Sequence, residues 1–116
     1  PGTVPVLELG WLKPHATIIA SGSDQPTKNE IPSEVMRNSK FIADLKRQCV
    51  RVGELRTAIK EGAMSENDVY AEIGDVINGT RKGREGDELI VVDLTGTGAQ
   101  DAAIGQVAWE VLSTNK

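Results

Sequence analysis

The chain has 116 residues and a formal net charge of −4, with 13 Lys and Arg side chains against 17 Asp and Glu. This length suits one domain of about 100–150 residues, so we predict that residues 1–116 form a single domain. The mixed charges, without a long basic block, argue against nucleic acid or an anionic membrane surface as the main partner.

The composition allows a buried core but no internal disulfide. Apolar residues make up 39% of the chain, and 12 glycines come in addition to these, so an aliphatic core can form. Cys49 is the one cysteine, which fits a reducing compartment and leaves no His/Cys cluster for zinc. No apolar run approaches the roughly 18 residues of a membrane span, and no signal-peptide pattern opens the sequence. We therefore expect a cytoplasmic protein without a membrane segment or a metal site.

The first half of the chain predicts two buried strands with a short helix between them. Both strands are short apolar runs, and Pro32 suits the first turn of the helix. The segment before the first strand has no clear periodicity and closes at Pro14. In chain order, we predict a lead-in at 1–5, a helical or irregular segment at 6–13, a strand at 16–21, a helix at 32–38 and a strand at 41–45.

The second half is helical up to a third strand and ends in a longer helix. Between 47 and 78 the helical pattern is interrupted by glycines, and Ser65 and Asp68 have the spacing of a capping box. The charged, glycine-containing stretch at 80–87 is typical of a surface loop. The other predicted elements are a helix at 72–78, a strand at 89–94 and a helix from about 98, with apolar residues at intervals of three and four.

This alternation of strands and helices indicates an α/β fold with a largely parallel sheet. About three strands are predicted, with helices flanking the sheet and one helix closing the chain. A sheet of three strands leaves both edges unpaired, which invites pairing with another chain. The pattern therefore indicates a dimer or a sheet that lacks a part.

Asp24 and Lys28 follow the first strand and are the first candidates for function. A strand that leads into a Gly/Ser loop presents polar side chains to a ligand at the carboxyl end of an α/β sheet. Asp24 could equally be a turn residue that caps the backbone before Pro26. From the residues alone, the functional and the structural role remain equally open.

A second glycine-rich stretch, at 95–101, follows the third strand and opens the last helix. It is similar to the dinucleotide-binding pattern G-x-G-x-x-G, but Asp101 replaces the third glycine and would set a carboxylate beside a pyrophosphate. We therefore interpret the stretch as a turn that lets the last helix pack against the sheet. His15, Cys49 and the basic stretch at 81–84 are likewise interpreted as structural or surface residues, and His15 has no obvious local partner.

Several ordered motifs resemble the ornithine cyclodeaminase/μ-crystallin family. The loop after the first strand, at 20–32, matches the pattern G-(S/A/G)-D-x-P-x-K-x-E-(L/I). The similarity covers essentially the whole chain, and four ordered motifs at compatible spacing make it specific. The other matching segments are a P-V-L…W-L lead-in at 5–12, a strand at 39–42, a Q-C…G-E helix at 48–55, an E-(L/I)-G-E-V-L-x-G helix at 70–79 and a D-S-(T/V)-G…(E/Q)-D turn at 93–101.

This resemblance implies an enzyme that uses NAD or NADP, with a Rossmann domain beside a substrate and dimerisation domain. Family members remove or return a hydride at the α-carbon of an amino or imino acid, and cyclodeaminases convert ornithine to proline. The chain resembles the C-terminal half of a cyclodeaminase, which comprises the end of the NAD-binding domain and the returning C-terminal segment. The fold that the resemblance implies is therefore a partial Rossmann-like sheet.

The resemblance also assigns roles to individual residues. Carried over by position, Asp24 corresponds to the catalytic acid/base and Lys28 to a lysine that contacts the cofactor. Thr95 corresponds to a substrate-side contact, and Leu94 stands where the family often has serine. The strand end beside the nicotinamide corresponds to four residues, Ile18, Ile19, Ala20 and Ser21.

The resemblance omits three features that the family uses: the G-x-G-x-x-G turn, the acidic residue that holds the adenine ribose, and the Arg/Lys residues that grip the substrate carboxylate. We therefore expect a fragment without turnover of its own, which does not hold NAD or NADP unaided. Its expected partners are a second copy or an N-terminal fragment, with a small amino or imino acid as the family's substrate. The alternative is a stand-alone, non-catalytic binding or dimerisation module derived from the same fold.

Overall fold

The computed structural model describes residues 2–114 and contains a four-stranded sheet. Its strands are β1 (Thr17–Ala20), β2 (Lys40–Ala43), β3 (Ala71–Glu72) and β4 (Ile90–Asp93), in the order β1-β4-β2-β3. Every neighbouring pair is parallel, which confirms the predicted α/β fold with a largely parallel sheet. Pro1 of the predicted lead-in lies outside the described residues.

The described part of the chain contains five helices: α1 (Ser33–Arg37), α2 (Lys46–Cys49), α3 (Glu54–Lys60), α4 (Ile73–Ile77) and α5 (Gly98–Thr114). One 3₁₀ turn, Leu9–Trp11, precedes β1, and another, Glu66–Asp68, lies between α3 and β3. The predicted capping box of Ser65 and Asp68 is confirmed at the second turn. No helix within residues 2–114 has the length and apolarity needed to cross a membrane.

The sheet has one strand more than the sequence predicts. Ala71–Glu72 pairs with Ile42 and Ala43 of β2, where we expected Glu72 to begin a helix running to 78. Two residues are too few to show the alternation by which a strand is recognised in a sequence. The extended conformation of β3 therefore depends on its neighbour β2, and the helix begins one residue later than predicted.

Both faces of the sheet are packed at its two central strands, β4 and β2, which explains why these strands are continuous apolar runs. Phe41 and Val91 are fully buried on one face, together with Leu55 of α3. Ile42 and Val92 lie in a second cluster on the opposite face. Full burial of a large aliphatic or aromatic side chain contributes about 1.5–3 kcal/mol, so these two layers hold the strands in register and fix where their ends lie.

The last helix does not pack against the sheet as the sequence predicts. Every residue of α5 from 98 to 114 is exposed. Its large apolar side chains are 53% to 68% exposed, and they are Ile104, Val107, Trp109, Val111 and Leu112. The spacing of these residues indicated a helix correctly. It did not indicate what the helix covers, because that depends on surfaces outside the helix itself.

The two residues interpreted as structural do have structural contacts. His15 Nε2 lies 2.9 Å from Asp87 Oδ1, a partner that the sequence did not reveal because it is distant in the chain. The backbone N–H of His15 also donates to the carbonyl of Asp87, which ties the start of β1 to the loop before β4. Cys49 is fully buried, and this burial raises the pKa of its thiol, as expected for a packing residue rather than a nucleophile.

Candidate functional site

The loops that follow β1, β2 and β4 gather at one edge of the sheet. Because these strands run in parallel, their carboxyl ends share a side of the molecule, which is where ligands bind in open α/β sheets. The first loop carries Asp24 and Lys28, the second begins at Asp44, and the third contains Thr95. We call this region the carboxyl edge of the sheet.

Asp24 and Lys28 are brought together as an ion pair at this edge. Lys28 Nζ donates to Asp24 Oδ1 over 2.5 Å. The Asp24 side chain is 53% exposed, so its carboxylate remains accessible to a ligand. The hydrogen bond from Lys28 lowers the pKa of Asp24. At neutral pH the residue is therefore a carboxylate that can accept a proton from a bound molecule.

A buried glutamate, which the sequence analysis did not single out, holds the loop that carries Asp24. The Glu54 side chain is fully buried at the start of α3. It accepts hydrogen bonds from Ser23 Oγ, from Asn29 Nδ2 at 2.7 Å, and from the backbone N–H groups of Glu30 and Ile31. The carboxylate thus fixes the residue before Asp24 and the stretch just after Lys28. A lone acidic residue directly after a glycine, at a buried helix start, was the signal in the sequence.

A second buried carboxylate organises the turn after β4. Asp44 accepts hydrogen bonds from the Thr95 N–H at 2.7 Å, from Thr95 Oγ1 at 2.9 Å and from the Gly96 N–H at 3.0 Å. These N–H groups are the donors that a phosphate would need in a glycine-rich turn. Since a carboxylate already occupies them, the structure agrees with the interpretation of 95–101 as a structural turn rather than a phosphate cradle.

Gln48 bonds Thr95 and lines the same cleft as Asp24. The Gln48 amide donates to Thr95 Oγ1 at 2.9 Å and to the Gly96 carbonyl at 2.6 Å. The same glutamine lines a cleft of about 550 Å³ together with Asp24, Arg47, Arg51 and Val52. The hydroxyl of Thr95 is thereby held by Asp44 and Gln48, and its role as a substrate contact stays a prediction.

The four residues assigned to the nicotinamide side divide between core and surface. Ile18 and Ala20 belong to the packed core, so their side chains are directed away from the carboxyl edge. Ile19 is 57% exposed and Ser21 is exposed. Ile19 and Ser21 are therefore the two of this set that offer side chains to a ligand.

A third buried carboxylate, Asp93, lies at the end of β4, and only one of its two oxygens accepts a hydrogen bond from a described residue. Its Oδ2 accepts a hydrogen bond from the Leu55 N–H at 3.3 Å, whereas no described residue bonds its buried Oδ1. Burial raises the pKa of Asp93 to about 7, and the nearby charges of Glu54 and Asp44 act in the same direction. The group therefore titrates near neutral pH in the folded protein.

This raised pKa predicts that the folded protein loses stability as the pH rises. Between about pH 4 and pH 7 the folded state holds a proton on Asp93 that the unfolded state has released, so the free energy of unfolding falls with pH. The expected fall is on the order of 2–4 kcal/mol between pH 5 and pH 8. Asp93→Asn should remove most of this fall in urea unfolding curves recorded across that range.

The matched control for this prediction is Asp101→Asn, because Asp101 is exposed on α5. This variant should keep the wild-type dependence of stability on pH. An Asp93→Asn protein that loses stability with pH as steeply as the wild type would contradict the role given to Asp93.

Comparison with known proteins identifies one family and several similar structures. The chain matches the ornithine cyclodeaminase/mu-crystallin family over residues 2–116. It is 38% identical to the alanine dehydrogenase of Archaeoglobus fulgidus, over 99% of this chain and 36% of that protein. An archaeal alanine dehydrogenase dimer with bound NAD superposes with a TM-score of 0.89 at 36% identity, over 99% of this chain and 37% of that chain. The iminosuccinate reductase of Paracoccus denitrificans in complex with NAD⁺ gives a TM-score of 0.91 at 31% identity, over 98% and 35% of the two chains.

The extent of these matches agrees with the resemblance found in the sequence. The chain spans about a third of the length of the curated relatives that it matches, as expected for one part of a cyclodeaminase-like enzyme. Nearly the whole chain superposes on NAD-binding dehydrogenase structures, which confirms the Rossmann-like fold. The chain therefore belongs to the ornithine cyclodeaminase/mu-crystallin family.

Proposed function

We propose that this chain supplies the acid/base part of an active site that oxidises or reduces an amino or imino acid with NAD or NADP. The observation that carries this proposal is the Asp24–Lys28 ion pair at the carboxyl edge of the sheet. Glu54 holds the loop of this pair through hydrogen bonds from Asn29 and Glu30. Two of the similar solved structures contain bound NAD or NAD⁺. The single buried Cys49 fits a cytoplasmic location for such an enzyme.

In this proposal, Asp24 moves the proton that accompanies hydride transfer. The carboxylate takes a proton from the substrate nitrogen, or from an attacking water, and returns it when the reaction runs in reverse. Lys28 keeps the carboxylate ionised and fixes its direction by the 2.5 Å hydrogen bond. The nicotinamide, when bound, supplies the hydride chemistry at the substrate α-carbon.

The residues present fit the nicotinamide end of the cofactor but not its pyrophosphate. Ile19 and Ser21 present exposed side chains at the strand end, next to the loop with Asp24. In the glycine-rich turn after β4, the N–H groups of Thr95 and Gly96 already donate to Asp44 and so do not offer donors to a pyrophosphate. We infer that the pyrophosphate and the substrate carboxylate are held by another segment, in the same polypeptide or in a partner, and that the 116-residue chain has no turnover alone.

A chimaera tests this function directly. In it, the present chain replaces the matching segment of the Archaeoglobus fulgidus alanine dehydrogenase, and reduction of NAD is followed with alanine as substrate. We expect the chimaera to turn over and Asp24→Asn to lower kcat by at least about 100-fold, the usual contribution of a general acid or base. The control Asp101→Asn should retain activity, and NAD-dependent oxidation of alanine or ornithine by the isolated chain would contradict the need for another segment.

The exposed apolar residues of α5 favour a second candidate function, a non-catalytic assembly module. A helix with Val107, Trp109 and Leu112 all more than half exposed has apolar surface that association would cover. Under this alternative, sedimentation shows a self-associated chain at micromolar concentration and Asp24→Asn leaves that assembly unchanged. Loss of turnover in the Asp24→Asn chimaera favours the enzyme instead, so the same variant separates the two functions.

A further inference from the structure

Two arginines that line the cleft of Asp24 form no ion pair with a carboxylate of the described residues. Arg47 and Arg51 line the cleft of about 550 Å³ that Asp24 also lines, and both are exposed. Neither forms an ion pair with any carboxylate of residues 2–114. The cleft therefore contains two guanidinium groups whose charge the described protein does not compensate.

The two arginines are close to each other, which makes it more unfavourable to leave their positive charges uncompensated. They are four residues apart, on α2 and the turn directly after it. Like charges at this spacing on a helical turn repel each other, whereas a bound anion between them reverses the sign of the interaction. Guanidinium groups bind carboxylates through paired N–H donors, so two of them one turn apart form a suitable anion site.

The charge of the cleft indicates what kind of anion fits. Asp24 is balanced by Lys28, so Arg47 and Arg51 leave the site with two net positive charges. An α-amino acid with an uncharged side chain carries no net charge and would leave both positive charges uncompensated. A second carboxylate on the side chain adds a negative charge that these guanidinium groups can offset, while the first carboxylate is held by another segment. The Gln48 amide already donates to Thr95 and Gly96, which leaves the two arginines as the donors for this anion.

We propose that Arg47 and Arg51 bind the second, side-chain carboxylate of a dicarboxylic amino or imino acid whose nitrogen faces Asp24. This inference rests on the proposed function, because it places the reacting carbon next to Asp24. It makes the two arginines specificity-determining residues. A cleft of a few hundred Å³ accommodates a four- or five-carbon dicarboxylate.

The test measures binding by the 116-residue chain rather than turnover. Succinate is the probe, because it supplies a carboxylate on a four-carbon chain and has no nitrogen, and 1-butanol is the matched four-carbon compound without a charge. Backbone amide NMR titrations should show saturable succinate binding that shifts residues 47–52, and binding at least about 10-fold weaker for 1-butanol. Arg47→Gln combined with Arg51→Gln should weaken succinate binding at least about 10-fold, and raising the salt concentration should weaken it in the wild type.

The control variant is Arg37→Gln, on an exposed arginine of α1 near the amino end of β2, and it should bind succinate like the wild type. Circular dichroism checks that the double variant is folded, and Arg51→Gln alone takes its place if it is not. Three results would each overturn the proposal: no saturable succinate binding, equal binding of 1-butanol, or unchanged binding by the arginine variants. Inorganic pyrophosphate that binds while succinate does not would also overturn it, since the pair would then serve the cofactor.

The outcome is separable from that of the proposed function. Succinate has no nitrogen for Asp24 to deprotonate, so its binding does not depend on acid/base chemistry. A chimaera that turns over, together with a chain that does not bind succinate, would refute the arginine site alone. Succinate binding with an Asp24→Asn chimaera as active as the unsubstituted one would refute the proposed function alone.

Discussion

Replacing Glu54 with glutamine is expected to lower the free energy of unfolding by roughly 2–4 kcal/mol, because it breaks a buried hydrogen-bond network. The carboxylate accepts hydrogen bonds from the Asn29 side-chain NH₂ and from the N–H groups of Glu30 and Ile31. Each of these groups can donate a hydrogen bond but cannot accept one. A glutamine presents an NH₂ group to the same donors, so at least one buried N–H is left without an acceptor. Urea unfolding at constant pH measures the effect.

The same substitution should also lower the catalytic rate, because Glu54 holds both ends of the loop that carries Asp24. In the chimaera, Glu54→Gln should lower kcat by about 10-fold or more at temperatures where the protein remains folded, because misplacement of a catalytic group is costly even over small distances. Glu61→Gln is the matched control, because Glu61 ends α3 and is exposed. It should change neither stability nor kcat, and a Glu54→Gln protein as stable as this control would refute the anchoring role.

Gly53→Ala is expected to destabilise the fold by about 3 kcal/mol or more, the upper range for overpacking a filled core. An added Cβ would lie 2.9 Å from Cys49 Cα and from Thr95 Cγ2, and closer still to Asp93 Oδ2. The Cys49 contact is with backbone and cannot be relieved by a change of rotamer. The start of α3 must therefore move, which also displaces Glu54. Thermal and urea unfolding of the variant measure this loss.

Gly74→Ala provides the control for this steric argument. Gly74 lies within α4, and an added Cβ there meets nothing within 4 Å. The alanine should leave stability unchanged or raise it by up to about 1 kcal/mol, because alanine favours helix over glycine. If both alanine variants destabilise the protein to the same extent, crowding at Gly53 is not the cause.

Gly53 thus explains how three carboxylates can share one buried region. Its missing side chain lets α3 approach the end of β4, so that the Leu55 N–H reaches Asp93 while Glu54 faces the loop of Asp24. Asp44 completes the set on the side of Thr95. Glu54 fixes the loop after β1, Asp44 fixes the turn after β4, and Asp93 bonds the start of α3. Two of the three carboxylates therefore hold loops of the carboxyl edge, at which ligands bind in such sheets.

Local sequence patterns correctly predicted much of the fold. The apolar runs correctly indicated β1, β2 and β4, and the two central strands β2 and β4 lack alternation because they are covered on both faces. The capping box at Ser65 and the long C-terminal helix were also correct. The position of Asp24 and Lys28 after a strand placed them at the correct edge, and the resemblance to a family of enzymes assigned their roles.

The sequence by itself determined the fold class, the three longer strands and the family, because these depend on patterns between neighbouring residues and on ordered motifs. Only the tertiary structure revealed β3, the exposed face of α5, and the buried carboxylates Glu54 and Asp44 as anchors of the site. Each of these depends on contacts between residues far apart in the chain: Glu54 lies 24 positions from Glu30 and Asp44 lies 51 from Thr95. Hydrogen bonds over such separations form only when the sheet brings its loops together, and local periodicity does not encode them.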